Sequence, residues 1–263
     1  MSDKGGEDLI GIFVSRVPQI MKKSGQYRGR LTSAEIAEGM NVAMENAARL
    51  AKDARLLFEK DRYASALALA ILSIEEAGKE GVLRGLALAS DDKELIDRWK
   101  DYRSHTKKNA HWLLLDMVSK GARRLEDFLP MYYPDAEHTE MLDSLKQLCL
   151  YTDSFKKGVW SIPEKVISKE IVRGILCAAE ISCQTGEVTT EEIDLWIQYM
   201  KPVWNSPVKR GNALIEFDKE MRRRGLIPAG SPMSMEDFMT KGLQLNFMTK
   251  GLQLKGIKKS EKE

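Results

Sequence analysis

The segment Tyr63–Gly81, YASALALAILSIEEAGKEG, decides the fold of this chain. Its apolar run, ALALAIL, puts large side chains on opposite sides of a helix, with Leu67 and Ile74 on one side and Leu69 on the other. A helix that is apolar all round is buried between neighbouring helices. The segment therefore predicts a long buried helix, over about residues 63–89, within an all-α protein.

Two carboxylates and an ammonium follow this apolar run, at Glu75, Glu76 and Lys79. Glu75 and Lys79 are four residues apart, the spacing of an ordinary helix ion pair worth about 0.3–0.5 kcal/mol. Glu76 instead falls on the apolar side with Leu69, where a carboxylate loses its hydration and needs a partner. The candidate partners are Lys79, Arg98, His105 and Lys108. Both interpretations, a plain helix pair and a buried polar cluster, are open at this point.

The rest of the sequence predicts further helices and few or no strands. Thr32–Glu35 has the form of a capping box, and small or apolar residues then recur at alternating steps of four and three as far as Leu57. Asp91 with Glu94 predicts the start of a third helix that runs to about Lys120. Later helices are expected around residues 137–157, 164–184, 190–200 and 211–224. We therefore expect a helical bundle with additional C-terminal helices.

Composition and charge exclude several classes of protein. The 41 basic and 39 acidic residues leave a formal charge of +2, too small for a strongly basic nucleic-acid coat. Cys149, Cys177 and Cys183 form an odd set without a CxxC motif, so neither a disulfide framework nor a zinc site is indicated. No metal or other cofactor is expected. No apolar run approaches roughly 20 residues, and the N-terminus lacks a signal-peptide pattern, so a cytoplasmic protein without membrane contact is expected.

The chain divides by pattern into three segments. We expect an N-terminal extension over residues 1–31, a helical domain over 32–225 and a partly disordered tail over 226–263. The tail repeats FMTKGLQL at Phe238–Leu245 and Phe247–Leu254, too few and too short for a solenoid. The repeat is either a local duplication or a segment that binds a partner.

Polar residues interrupt the apolar stripe of the third predicted helix. Arg98 and His105 are seven residues apart, about two turns along one helical face, and Lys108 and Asn109 follow. A stripe interrupted in this way is typical of a functional site. The alternative is a surface histidine beside a solvated run of charge.

Three blocks of sequence resemble the AbiV-type abortive-infection family of the all-helical HEPN superfamily. They are DARLLFEKDRYASALALAILSIEEAGKEGVL, WKDYRSHTKK and LYTDSFKKGVWSIPEKV, and the resemblance spans about Leu31 to Ile171. It implies a helical HEPN-like domain and a role in phage defence. Many HEPN relatives are metal-independent ribonucleases with an Arg and a His four to six residues apart, at a site completed by a dimer. Arg98 and His105, with six residues between them, fit the edge of that pattern.

Two hypotheses follow from the resemblance and the polar cluster. In the first, the chain cleaves RNA: His105 is the general acid or base, and Arg98 and Lys108 stabilise charge on the phosphate. The supporting or RNA-binding residues are then Glu75, Glu76, Lys79, Arg103 and Asn109. In the second, the chain is a non-catalytic protein that sequesters a phage or host translation-related protein, and the polar cluster holds the helices in register.

A homodimer is also expected. The second predicted helix is apolar on opposite sides and carries charged residues among its apolar ones, which a lone three-helix packing would struggle to cover. The resemblance to HEPN proteins points the same way. Its second and third predicted helices would lie near the two-fold axis, with His105 of each chain facing a shared groove.

Overall fold

The computed structural model describes residues 26–104, 117, 137–184, 186–227, 231 and 233–242. The chain separates into two compact units, Met1–Arg30 and Leu31–Glu263. Of the first unit only residues 26–30 are described, and they contain no helix. The described residues of the second unit are almost wholly helical, which confirms the all-α prediction.

The described helices are α1 Ser33–Glu59, α2 Tyr63–Ala77, α3 Lys79–Ala87, α4 Asp92–Arg103, α5 Glu137–Leu150, α6 Pro163–Val166, α7 Lys169–Ser182, α8 Thr190–Met200, α9 Pro207–Arg223 and α10 Met235–Lys241. A short 3₁₀ turn, Lys201–Val203, follows α8. The strands β1 Ser154–Lys156 and β2 Val159–Trp160 form an antiparallel hairpin, in which Ser154 pairs with Trp160. Gly158 turns the hairpin with φ +79°, a conformation that suits glycine. In the described residues, no helix has the length and apolarity needed to cross a membrane.

The start of α1 is the capping box that the sequence predicts. The Thr32 hydroxyl accepts the backbone N–H of Glu35 at 3.2 Å, and the Glu35 carboxylate accepts the backbone N–H of Thr32 at 2.8 Å. Small residues of α1 then face α2: Ala47, Ala51 and Ala54 are buried. Because these side chains are short, the two helices approach closely enough for Ser73 on α2 to donate its hydroxyl to the Ala47 carbonyl at 2.8 Å.

Helix α2 is the centre of the larger core. Leu67, Ile71 and Ile74 are fully buried, as the apolar pattern predicts. They pack among α1, α5 and α7, so the opposite apolar sides of α2 are covered within one chain. A second buried cluster joins α1, α3, α4 and α8; its buried members are Ile36, Ala37, Met40, Leu83, Leu86, Ala89, Leu95, Trp99 and Ile193.

The structure corrects the bounds of four predicted helices. The helix predicted over 63–89 is interrupted at Gly78, where α2 ends and α3 begins. The helix predicted from Asp91 to Lys120 starts as expected but ends at Arg103, since Ser104 is extended with ψ 129°. Helix α5 ends at Leu150 and the hairpin follows it, and the helix predicted over 164–184 is divided into α6 and α7. In each case the side-chain pattern of the sequence continues past the residue at which the helix ends.

Candidate functional site

The carboxylate of Glu75 is buried on α2 and meets an ammonium from α5. Its Oε1 lies 2.7 Å from Lys146 Nζ, and the two side chains are 4% and 8% exposed. Lys146 Nζ also lies 3.0 Å from Asp143 Oδ1, on the more exposed side. Burial lowers the pKa of Lys146, but the hydrogen bonds to Glu75 and Asp143 outweigh it and leave that pKa above the usual lysine value. Lys146 is therefore charged at neutral pH, and the pair links α2 to α5.

Glu76 has partners of its own, as its position on the apolar side requires. Its Oε1 lies 2.6 Å from Lys79 Nζ, and its Oε2 accepts a hydrogen bond from Asn46 Nδ2 at 3.0 Å. Both charged side chains are largely buried. Lys79 is thus confirmed among the candidate partners of Glu76, and Asn46 on α1 is an addition that the sequence analysis missed.

Lys79 carries this polar contact across to α4. Its ammonium lies 5.3 Å from the centre of the Tyr102 ring, which packs edge-on against Trp99 at 5.5 Å. Arg103 Nη1 donates to the Trp99 carbonyl at 3.0 Å, and its guanidinium lies 5.4 Å from the Trp99 ring. Lys79 of α3, paired with Glu76 of α2, therefore contacts the last turn of α4, where the RSHTKK block begins.

Arg98 lies on the side of α4 that packs against α3. A Cβ placed on Gly85 would stand 3.5 Å from the Cδ and Nε atoms of Arg98, so the arginine stem crosses α3 at this glycine. Its Nη1 lies 3.4 Å from Asp101 Oδ2, and about a third of the side chain is exposed. Arg98 contacts α3 at Gly85, whereas Tyr102 contacts Lys79 at the beginning of α3. Arg98 and Lys79 therefore both lie between α3 and α4, but at different turns of these helices.

His105, Lys108 and Asn109 lie outside the described residues. The expectation that Arg98 and His105 share one continuous helical face is wrong, because α4 ends at Arg103 and Ser104 is extended. Of the predicted site residues, the structure brings Glu76 and Lys79 together and joins them to the end of α4. Glu75 instead forms the buried pair with Lys146.

A family model named AbiV matches residues 35–184, more than half of the chain. The chain belongs to the AbiV family. The match begins in the first turn of α1 and ends just after α7, so it extends past Ile171, where the resemblance in the sequence fades. It includes the Glu75–Lys146 and Glu76–Lys79 pairs and the last turn of α4. Comparisons with curated proteins and with solved structures gave no significant match.

Membership of the AbiV family indicates a role in abortive-infection phage defence. Helix α8 lies beyond the matched residues and is nevertheless part of the second buried cluster through Ile193. Asn41 on α1 also exchanges two hydrogen bonds of 2.9 Å with the backbone of Val188, just before α8. This chain therefore adds α8 directly to the core of the AbiV region.

The residue that sequence reasoning missed most clearly is Lys146. Leu142 and Cys149 are buried on the same face of α5, and Lys146 stands between them at helical spacing. A lysine that interrupts an apolar stripe is a signal for a buried counter-charge.

In the described residues, no group of three or more His, Cys, Asp or Glu side chains is placed to hold a metal ion.

Proposed function

We propose that this AbiV-family chain defends against phage by cleaving RNA without a metal ion, with His105 as general acid or base. One observation carries the proposal. Glu76, Lys79 and Tyr102 form a continuous set of contacts that ends at Tyr102 in the last turn of α4, three residues before His105. These contacts hold the end of α4 in place. The segment that contains His105 therefore begins beside the cations Lys79 and Arg103.

The chemistry needs a proton acceptor, a proton donor and positive charge. A base takes the proton of a ribose 2′-hydroxyl, the 2′-oxygen attacks the neighbouring phosphorus, and the 5′-oxygen leaves with a proton from an acid. The products are a 2′,3′-cyclic phosphate and a 5′-hydroxyl. Histidine suits either proton transfer because it gains and loses a proton near neutral pH.

Positive charge for the scissile phosphate would come from Arg98 and Lys108. Arg98 is partly exposed, and its stem is held against α3 at Gly85, so its guanidinium has restricted freedom. A guanidinium that is already held binds a phosphate with less loss of entropy than a mobile one. Lys79 and Glu76 are largely buried and act by fixing the end of α4.

Purified protein incubated with total RNA and a metal chelator tests the proposal. Wild type is expected to produce fragments with 2′,3′-cyclic phosphate ends. His105→Ala should lower the rate by a factor of about 10² to 10⁴, the usual contribution of a general acid or base. His138→Ala, in the first turn of α5, is the matched control and should keep the wild-type rate. RNA left intact by wild type would overturn the proposal.

The same variants distinguish the binding hypothesis in infected cells. If the chain is a nuclease, His105→Ala abolishes defence and leaves the melting temperature unchanged. If the polar cluster only holds the helices in register for binding a protein, His105→Ala lowers the melting temperature and defence together. Plaque counts and thermal unfolding of the same variant supply both measurements.

We also propose a homodimer, on the ground of the resemblance to HEPN proteins. The apolar sides of α2 do not require a second chain, because α1, α5 and α7 of the same chain cover them. An obligate interface should bury on the order of 2,000 Å² or more. Sedimentation at micromolar concentration should give about twice the chain mass of 29.8 kDa, and a monomer would contradict the dimer.

A further inference from the structure

A half-open groove of about 510 Å³ lies between the C-terminal half of α5 and the base of the β1–β2 hairpin. The groove is lined by Asp143 and Gln147 of α5, and by Tyr151 and Asp153 of the segment that joins α5 to β1. Ser161, the residue after β2, also lines it. Its volume is in the range of sites that hold small ligands or single side chains of a partner. None of its lining residues belongs to α4, to whose end the proposed nuclease activity is assigned.

Ser161 gives the groove a buried hydroxyl that can form one more hydrogen bond. The residue is 4% exposed, and its Oγ accepts the backbone N–H of Asp153 at 2.9 Å. Among the described residues, the hydroxyl hydrogen has no acceptor. A buried hydroxyl generally donates a hydrogen bond as well as accepting one. A ligand in the groove that offers a carbonyl oxygen would therefore accept the hydrogen bond that the Ser161 hydroxyl can donate.

The residues that line the groove include two carboxylates, Asp143 and Asp153, and no basic side chain. One oxygen of Asp153 accepts the N–H of Ser154 at 2.7 Å, and within the described residues Asp153 has no ion pair. Asp143 shares the Lys146 ammonium with Glu75, so two carboxylates share one positive charge. This lining therefore favours a cation over a phosphate. The exposed ring of Tyr151 adds an aromatic face on which a cation can lie.

We propose that this groove binds an arginine side chain of a partner protein. The guanidinium would pair with Asp153 through two parallel hydrogen bonds, lie against Tyr151 and donate to the amide oxygen of Gln147. The hydroxyl of Ser161 would donate to a backbone carbonyl of the same segment. A peptide supplies both the cation and the carbonyl, which a free guanidinium compound does not.

The surface beside the groove also fits a protein partner. Trp160 is 67% exposed, and Val159 and Ile162 next to it are exposed as well. Exposed aromatic and aliphatic side chains around a site for arginine match the composition of protein interfaces, where Trp, Tyr and Arg provide much of the binding energy. This inference does not depend on RNA cleavage and holds for a nuclease or for a binding protein.

Titration of the isotope-labelled chain with N-acetyl-arginine methylamide, followed by amide chemical shifts, tests the inference. The amides of Thr152, Asp153 and Ser161 should shift in a saturable way, with a dissociation constant on the order of 1 mM for a single side chain. The citrulline analogue has the same shape without the charge and should bind at least about tenfold more weakly. Equal shifts with both compounds, or none with arginine, would overturn the proposal.

Two variants complete the experiment. Asp153→Asn keeps an oxygen for the Ser154 N–H, so the hairpin should remain folded while the arginine compound no longer binds. Asp194→Asn, an exposed aspartate on α8, is the matched control and should leave the dissociation constant unchanged. A uridine oligonucleotide that shifts the groove amides when the arginine compound does not would show that the groove takes nucleic acid, against the proposal.

Discussion

Replacing Lys146 by methionine tests whether the buried ion pair holds α5 to α2. Methionine is similar in length to lysine and keeps the apolar part of the packing, but it removes the ammonium that lies 2.7 Å from Glu75 and 3.0 Å from Asp143. The carboxylate of Glu75, 4% exposed, then remains in the core without that charge. Asp143 is 40% exposed and can turn to water.

The expected loss of stability follows from these exposures. Removing one partner of a buried pair costs about 3–5 kcal/mol, because the remaining charge is desolvated. The exposed contact to Asp143 contributes about 0–1 kcal/mol. Lys146→Met should therefore lower the free energy of unfolding by about 3–5 kcal/mol. For a domain of this size that corresponds to a fall of roughly 6–20 °C in melting temperature.

The loss should also depend on pH. The pKa of Lys146 is raised in the folded chain, so the stability it contributes is fully present below the unfolded lysine value of about 10.4. That contribution disappears as the pH rises through the folded pKa. The difference in stability between wild type and Lys146→Met should accordingly be constant near neutral pH and shrink above about pH 10.4.

Urea unfolding followed by circular dichroism measures the effect, with Lys219→Met as the control. Lys219 also contacts two carboxylates, Glu216 at 3.3 Å and Glu236 at 3.4 Å, but it is half exposed, so its loss should cost at most about 1 kcal/mol. Glu75→Leu combined with Lys146→Met should recover most of the stability, since an apolar pair can replace a buried ion pair. A cost below about 1 kcal/mol for Lys146→Met, or no recovery in the double variant, would refute the reasoning.

Three further predictions concern single groups. Burial raises the pKa of the Cys149 thiol to about 12, so Cys149 should resist alkylation in the native chain and react once it is unfolded, as mass spectrometry would show. Ser73→Val removes a buried hydroxyl that donates to α1, and urea unfolding should show a loss of about 0.5–1.5 kcal/mol; an unchanged midpoint would contradict this. Arg223, and then Arg224, hold the pKa of Glu220 down to about 2, so the stability it contributes is present above about pH 4.3 and lost as the pH falls through about 2. A carboxyl titration by NMR with a midpoint near pH 4 would disprove the last prediction.

Features determined within one or two helical turns were predictable from the sequence. The capping box of Thr32 and Glu35 depends on groups three residues apart. The burial of α2 follows from apolar residues on opposite sides of one helix, which the order of the residues shows directly. The polar character of Glu76 among apolar neighbours likewise predicted a partner, and Lys79 is three residues away.

Helix ends were predicted less well than helix cores. Gly78 separates α2 from α3, although the apolar pattern continues through both. The polar stripe of α4 suggested that Arg98 and His105 share a helix, but that helix ends at Arg103. A side-chain pattern reports which face is buried and contains little information on whether the backbone stays helical between two buried turns.

The sequence alone determined an all-α chain of the AbiV family, with a buried second helix that carries charged residues. The tertiary structure alone decided which distant residues those charges meet. Glu75 is paired with Lys146, 71 residues further along the chain, and Lys79 is placed over Tyr102 of α4. Capping and helical periodicity arise from contacts between residues three or four apart, which the sequence order displays. The partner of a buried charge depends on which distant helix packs against it, and that is settled only when the whole core forms, because the charge cannot be buried without a partner.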